Sequence, residues 1–365
     1  MSSHYLLFRY KKDIDSILST IETSNLPIDF PVRFLFLISD SDVFKIVKSR
    51  TPANFLVNIT DDSDSILTIK LTREMKRNKK YTITADFQLI KLPDTNIYVA
   101  LISGKQKHIR LVIMRYFEHY YSHISRLFLN SKQLEDLLDI IKNKLDCSII
   151  TDQVVSYSRL RKKNLTYPVA SYRMREASMR WTEEDYKISF QKESESDLDI
   201  DKITFFARKE EKLLFHAGLA REGLFRCNKN ALSFYKVVIQ YLMNVGNKKI
   251  KIFSNKSIID NKGKIQPISI MYKNNIFADK DQFKKLARCI AELPNSSNSV
   301  YHGNPYLHMS LVDYMDGSSY EIWVVSQEKI IIIPQLRSTF KSISRLCEHV
   351  MKKFQEGELE ELVVS

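Results

Sequence analysis

Pairs of short, strand-like segments, each followed by an amphipathic helix, recur along this chain and limit the folds that it can adopt. Such units occur near 80–129, 202–244, 250–293 and 307–354. Strands joined by short turns pair antiparallel, and an amphipathic helix buries its apolar stripe on one face of the resulting sheet. The units share no residue-by-residue similarity, so the pattern predicts a repeated architecture and not a sequence repeat. We therefore predict an α+β fold of antiparallel sheets and hairpins, each followed by amphipathic helices.

The length of the chain predicts more than one hydrophobic core. At 365 residues it exceeds what one core usually supports, so we expect two domains. The predicted N-terminal α+β domain spans 1–155 and the predicted C-terminal α+β domain spans 202–365. Residues 156–201 form a connecting segment that is first basic and aromatic and then acidic.

Local signals predict several individual elements. The apolar stripe of residues 108–129 predicts one long helix. Residues 230–244 predict a helix that ends before Gly246, and the following KIKIFSN reads as extended. Asp316 and Gly317 predict the turn of a hairpin.

Positive charge is concentrated in the middle of the chain. The net charge is +13, with 7 Lys/Arg against 1 acid in residues 157–181 and 19 against 6 in residues 202–288. Both ends of the chain are near neutral. A concentrated excess of this kind indicates a polyanion partner such as DNA or RNA. An anionic membrane surface is the alternative, but no amphipathic helix with one strongly basic face supports it, and no apolar run is long enough to span a membrane.

The stretch from Tyr157 to Trp181 interleaves cations with aromatic rings. Cations neutralise phosphates and flat rings stack on bases, which are the two requirements of a nucleic-acid groove. A solvated basic linker whose tyrosines pack inward is the alternative. We predict that the basic block 202–288 extends the footprint and that nucleic acid contacts these residues of the stretch: Arg159, Arg161, Lys162, Lys163, Tyr167, Tyr172, Arg173, Arg175, Arg180 and Trp181.

The residues that follow are acidic, with eight Asp/Glu in 182–201. One interpretation is that this segment folds against the basic stretch and compensates its charge when no polyanion is bound. A second is that Asp197, Asp199 and Asp201 share one side of an extended segment and hold Mg²⁺ for phosphoryl chemistry. A plain solvated loop is the third. We predict neither a metal nor a cofactor.

Several classes of chemistry lack their motifs. The sequence contains neither G-x-x-x-x-G-K-[ST] nor G-x-G-x-x-G, so NTPases and Rossmann dehydrogenases are disfavoured. Glu118, His119 and His123 could place two imidazoles on one helix face, but no third metal ligand can be named. No C-x-x-C pair occurs, which predicts buried, unpaired thiols and a reducing compartment. The cysteines are Cys147, Cys227, Cys289 and Cys347.

These observations lead to one functional hypothesis and two alternatives. We predict a non-catalytic protein that binds DNA or RNA by largely sequence-independent backbone contact, because lysine, which outnumbers arginine here, contacts phosphate as a point charge. One alternative is a metal-dependent nucleic-acid-processing enzyme such as a nuclease. The other is a structural subunit of a larger assembly that docks an acidic protein partner. The opening residues lack the pattern of a signal peptide, so a cytoplasmic location is expected.

Overall fold

The computed structural model describes most of the chain, namely residues 13–23, 31–75, 81–103, 106–158, 177–196, 198–259, 263–303 and 306–362. Helices and antiparallel sheets both contribute to the fold, so the predicted α+β class is confirmed. None of the described helices combines the length and the apolar character that crossing a bilayer requires.

The helices differ widely in length. A π-helical turn (Ile109–Ile113) joins the third and fourth of them. Asn130 caps the fifth, since its side chain accepts a hydrogen bond from the backbone N of Gln133 at 2.8 Å. The Gln133 side chain accepts in return from the backbone N of Asn130, which completes a capping box. The described helices are α1 (Ile14–Thr23), α2 (Val43–Ser49), α3 (Gln106–His108), α4 (Met114–Glu118), α5 (Ser131–Leu145), α6 (Tyr186–Glu195), α7 (Ala231–Phe253), α8 (Asp281–Ala291) and α9 (Phe340–Lys353).

The described strands form two antiparallel sheets. Sheet A has eleven strands in the order β2-β3-β4-β5-β1-β11-β10-β9-β7-β8, and β6 also pairs with β1. Its strands are β1 (Val32–Ser39), β2 (Phe55–Asp62), β3 (Ile66–Met75), β4 (Tyr81–Lys91), β5 (Ile97–Ser103), β6 (Ile124–Arg126), β7 (Ser148–Ser158), β8 (Ala177–Asp185), β9 (Leu198–Lys209), β10 (Lys212–Ala220) and β11 (Leu224–Cys227). Sheet B has six strands in the order β13-β14-β15-β16-β12-β17. They are β12 (Ile268–Met271), β13 (Ser296–His302), β14 (Leu307–Asp313), β15 (Ser318–Val324), β16 (Lys329–Pro334) and β17 (Glu358–Glu361).

The two ends of the chain share one topology. In sheet A, β1 is followed by α2 and by the meander β2 to β5, and β1 lies beside β5. In sheet B, β12 is followed by α8 and by the meander β13 to β16, and β12 lies beside β16. The Asp316–Gly317 turn predicted from the sequence joins β14 to β15, and Gly317 has a φ of +76°. This repeated strand order differs from the predicted repetition of hairpins each followed by a helix, since the described residues of 250–293 contain only one strand, β12.

Sheet A is built from distant parts of the chain. Val32 of β1 pairs with Cys227 of β11, so N-terminal strands join strands that follow the predicted connecting segment. The predicted boundaries after residues 155 and 201 fall within β7 and β9. The division into domains stays a prediction, and the sheets themselves divide the chain between β11 and β12.

The predicted helix over residues 108–129 is too long. Helical structure ends at Glu118, and Ile124–Arg126 form β6, which pairs with Leu37 to Ser39 of β1. On the same edge of β1, β11 pairs with Val32 to Leu35 only. The rest of that edge needs backbone partners, and β6 provides them at the expense of the helix.

The helix predicted to end before Gly246 instead continues to Phe253 and includes the segment read as extended. A Cβ at Gly246 would lie 2.6 Å from Cδ1 of Ile97 and 3.5 Å from Cγ2 of Ile38. Glycine is therefore present because α7 packs closely on sheet A, and it does not mark a helix end.

Helices cover the two halves of sheet A differently. A cluster that includes α2, the π-helical turn and α4 covers one face of β1 to β5, and the main core lies on the other face. The helices that contact β7 to β9, α5 and α6, lie on the main-core side. We call the opposite side of β7 to β11 the outer face. The four cysteines are free and buried, as predicted.

Candidate nucleic-acid interface

Most of the predicted contact residues lie outside the described part of the chain. These are Arg159, Arg161, Lys162, Lys163, Tyr167, Tyr172, Arg173 and Arg175. Strand β7 leads into this segment and β8 follows it, and the two strands pair, with Val155 opposite Met179 and Tyr157 opposite Ala177. Arg180 and Trp181 belong to β8 and are described. The predicted stretch therefore begins and ends on neighbouring strands at one edge of sheet A.

A continuous row of side chains crosses the outer face. Arg33 of β1 pairs with Arg226 of β11, which pairs with Gly218 of β10. Gly218 pairs with Thr204 of β9, which pairs with Gln153 of β7, and Gln153 pairs with Trp181 of β8. Adjacent strands lie about 4.8 Å apart, so this cross-strand row spans roughly 24 Å from a pair of arginines to a tryptophan.

Cations gather at the arginine end of the row. Burial lowers the pKa of Lys202, and the nearby charges of Arg226, Arg110 and Arg33 lower it further. Burial and then Arg226 likewise lower the pKa of Arg33. Among the described residues, no carboxylate lies within 4.0 Å of a side-chain nitrogen of Lys202, Arg226 or Arg110. Like charges that lie near one another repel. We call Arg33, Arg110, Lys202 and Arg226 the cationic cluster, and an anion bound there would relieve the repulsion.

Gly218 lets the Arg226 side chain lie flat on the sheet. A Cβ at Gly218 would lie 3.0 Å from Nε of Arg226 and 3.2 Å from its Cγ. The guanidinium passes over this glycine, and its Nη2 donates to Oγ1 of Thr204 at 3.4 Å. Nε of Arg226 is buried and has no hydrogen-bond partner among the described residues. The contact with Thr204 and the close approach to Gly218 thus fix the direction of the arginine side chain.

A histidine and an aspartate lie beside the cationic cluster. The His216 ring stacks on Phe206, with 4.5 Å between centroids, and its Nε2 lies 3.0 Å from Oδ2 of Asp152. Burial lowers the pKa of His216, Arg226 lowers it further, and Asp152 opposes the shift. Burial and Arg226 thus favour the neutral imidazole, and Asp152 also raises the pKa of Arg226 and of Lys202 against the lowering by burial.

The tryptophan end of the row is exposed and apolar. Trp181 is 66% exposed and Met179, two residues before it, is 61% exposed. Residues two apart on a strand share a face, so both side chains lie on the outer face at the edge of sheet A. A large exposed apolar pair on the same sheet face as a cationic cluster is typical of a binding surface.

Arg180 points to the opposite side of β8 and is held by acids. Its Nη1 lies 2.6 Å from Glu184 and its Nη2 lies 3.3 Å from Glu193 of α6. Glu193 also accepts a hydrogen bond from Ser156 of β7. In the described part of the chain, the acidic segment therefore does contact a cation of the basic stretch, at this one arginine.

Replacing Glu184 by glutamine is expected to lower the free energy of unfolding at pH 7. It should also reduce the amount by which that free energy falls between pH 7 and pH 3. Burial raises the pKa of Glu184, but hydrogen bonds from Lys192, Arg180 and Ser189 outweigh burial and lower it from 4.5 to about 2. The ionised form then stabilises the fold above pH 4.5, and this contribution is lost as the pH falls from 4.5 toward 2. Because Lys192 is exposed and water screens its charge, we expect this contribution to the free energy of unfolding to be about 1 to 2 kcal/mol.

Urea unfolding at pH 7 and pH 3 measures this contribution. The matched control is Glu195→Gln on the same helix, because exposed Glu195 accepts a hydrogen bond only from the Gln191 side chain among the described groups. Equal unfolding free energies for Glu184→Gln and Glu195→Gln at pH 7 would contradict the prediction.

The remaining acids of the run are separated from one another. Asp199 is buried, Asp201 lies 3.4 Å from Nζ of Lys352, and Asp197 lies outside the described residues. No group of three or more described His, Cys, Asp or Glu side chains is arranged to hold a metal ion. The two imidazoles expected to share a helix face lie beyond the end of α4, where the His119 ring contacts Phe55.

A groove of about 780 Å³ lies between α5, α6, α7 and the segment before β17. Its walls carry charges of both signs, including Glu193, Asp199, Lys249 and Glu356. Burial lowers the pKa of Lys249 to about 8. Because its walls carry both acids and bases, the groove lacks the excess of positive charge that the outer face presents.

The sequence placed Lys202 and Arg226 within the basic block 202–288 but did not identify Arg33 or Arg110. Lys202, Thr204, Phe206 and Arg208 alternate with main-core residues of β9, and this two-residue period is visible in the sequence. Nothing local, however, placed Arg33 opposite Arg226. No protein-family model matches this chain, and no curated protein is significantly similar to it.

Proposed function

We propose that this protein is a non-catalytic nucleic-acid-binding protein that contacts DNA or RNA largely without regard to sequence. The observation that carries the proposal is the cationic cluster on the outer face, where Lys202, Arg226 and Arg110 form no ion pair with a described carboxylate. Phosphates would neutralise these charges, as they do in other nucleic-acid interfaces. We propose the cytoplasm as its location, since the four free thiols suit a reducing compartment.

The basic stretch adds to the proposed interface. It enters and leaves sheet A on β7 and β8, which carry Gln153 and Trp181 of the cross-strand row. A polyanion bound along the row therefore reaches the edge at which the stretch begins and ends. The proposed contacts are the cationic cluster, Trp181 and the cations of the stretch, while Arg180 keeps its acidic partners.

Changing Arg161, Lys162 and Lys163 together to glutamate is expected to weaken nucleic-acid binding by more than tenfold. Each lost phosphate contact removes roughly 0.7 to 0.9 from the slope of log affinity against log salt. Fluorescence anisotropy with labelled single- and double-stranded DNA and RNA, at several salt concentrations, measures both quantities.

The matched control makes the same change of charge elsewhere. Lys280, Lys284 and Arg288 are exposed, lie at or within α8 beside sheet B, and can be changed together to glutamate. The control is expected to retain affinity and slope, because screening limits the reach of distant charges to about 10 Å. If wild-type protein binds none of the four nucleic acids at low salt, the proposed function is wrong.

A second candidate function rests on His216 and Asp152. A neutral imidazole oriented by a carboxylate is the arrangement of a general base, and here it adjoins cations that would bind phosphate. This would make the protein a nucleic-acid-processing enzyme. Cleavage of a labelled strand by wild-type protein, lost in His216→Gln, would establish it over the binding function.

A further inference from the structure

The shape of the outer face indicates which class of nucleic acid it can bind. Base-edge readout of duplex DNA requires an element that enters a groove, usually a helix or a two-stranded ribbon. In the described residues, the cross-strand row crosses the paired strands of one sheet. The exposed indole of Trp181 lies at one end of the row. A sheet of this many strands is too broad to enter the major groove of a duplex, whereas a single strand can lie along the sheet with its bases against aromatic rings.

The side chains along the row change from cationic to apolar. Cations at one end, Arg33 and Arg226, suit phosphates. Thr204 is buried and accepts a hydrogen bond from Arg226, Gln153 follows it, and Trp181 with Met179 offers an exposed apolar surface at the other end. Over roughly 24 Å a strand of a few nucleotides passes from phosphate contact to base stacking.

Trp181 is 66% exposed on the edge strand of sheet A, whereas the buried Phe205 of β9 and Phe215 of β10 lie on the main-core side. Lys202 lies two strands away on the same face, since it pairs with Val155 of β7 and Val155 pairs with Met179 of β8. An exposed indole on the same sheet face as cations is the combination with which proteins bind unpaired bases.

We propose that the outer face binds a single-stranded polynucleotide, with a base stacked on Trp181 and phosphates of the same strand bound at Arg226 and Lys202. This inference rests on the proposed function and specifies the ligand class at the same site. Single-stranded DNA and RNA share this chemistry, and a 2′-hydroxyl contact would distinguish them.

The chain has only two tryptophans, which makes the stacking directly measurable. Trp323 lies in sheet B, where its ring stacks on His308 at a centroid distance of 3.8 Å. In Trp323→Phe, Trp181 is the sole source of tryptophan emission. Titration with oligothymidylate or oligouridylate is expected to quench that emission, and titration with a duplex of the same length is not.

A second variant keeps the test independent of the folding of Trp323→Phe. Stacking contributes about 1 to 3 kcal/mol per base, so Trp181→Ala is expected to weaken single-strand binding roughly five- to a hundredfold. Trp181→Phe should restore most of the affinity, and the salt slope should stay as in wild type because no phosphate contact is lost. Anisotropy of labelled strands measures both variants.

The outcomes separate this inference from the proposed function. If duplex and single strand bind equally and Trp181→Ala has no effect, the assignment of a single strand is overturned while nucleic-acid binding stands. If no nucleic acid binds wild-type protein at low salt, both fail. Tighter binding of oligouridylate than of oligothymidylate assigns the ligand as RNA, and the reverse order assigns it as DNA.

Discussion

Replacing Arg226 and Lys202 together by glutamate is expected to weaken nucleic-acid binding by roughly a hundredfold or more at low salt. A hydrogen bond to a charged group contributes about 1.5 to 3 kcal/mol, and two such phosphate contacts are lost. The slope of log affinity against log salt should fall by about 1.4 to 1.8. Anisotropy titrations at several salt concentrations measure both values.

The same substitution is expected to leave the fold as stable as before or more stable. Arg226 lies opposite Arg33, and its charge lowers the pKa of both Arg33 and Lys202, so repulsion is present in the unliganded protein. Glutamates at 226 and 202 attract Arg33 and Arg110, which offsets the lost attraction between Asp152 and the two original cations. The affinity for nucleic acid should therefore fall while the free energy of unfolding stays the same or rises. If Arg226 served only the fold, its replacement would lower both.

Urea unfolding at pH 7 measures the stability of this variant. Lys284→Glu with Arg288→Glu on α8 is the matched control, with the same change of net charge at exposed positions. A loss of several kcal/mol in the Arg226 and Lys202 variant, accompanied by the loss of binding, would assign these residues to the fold and remove the support for the interface.

Replacing Arg221 by alanine is expected to destabilise the protein by about 3 to 5 kcal/mol, because it leaves a buried carboxylate without its partner. Arg221 is 1% exposed, and its Nη2 lies 2.6 Å from Oε1 of Glu356. Its guanidinium lies 4.9 Å from the centroid of Phe128, and Nε donates to the Leu129 carbonyl at 3.3 Å. Burial raises the pKa of Glu356, and Arg221 opposes that shift.

This ion pair also connects the two sheets. Arg221 follows β10 of sheet A, and Glu356 lies between α9 and β17 of sheet B. Oε1 of Glu356 accepts from N and Oγ of Ser131 at the start of α5, both at 3.0 Å. Loss of Arg221 should therefore loosen the attachment of sheet B as well as lower the unfolding free energy.

A double-mutant cycle separates the pair from general damage. Arg221→Met combined with Glu356→Gln should cost clearly less than the sum of the single changes, because neither charge is left unpaired. Lys236→Ala, which breaks an ion pair of 3.0 Å between half-exposed partners, is the control and should cost about 1 kcal/mol or less. A cost below 1 kcal/mol for Arg221→Ala in urea unfolding would contradict the prediction.

The sequence by itself determined the elements whose signals are local. Alternating apolar residues and short turns specify the hairpins, and the Asp316–Gly317 turn and the start of α5 after Asn130 follow from neighbouring residues alone. The α+β class, the buried cysteines and the concentration of charge between residues 157 and 288 follow in the same way.

Tertiary structure decided what depends on residues far apart in the chain. Ile124–Arg126 form a strand because the end of β1 needs partners, and Gly246 lies within α7 because Ile97 leaves no room for a side chain. The cationic cluster exists only because β1 pairs with β11, which brings Arg33 opposite Arg226 across almost 200 positions of sequence. Strand register is set by packing and by hydrogen bonds between distant segments, and no pattern within either segment records it.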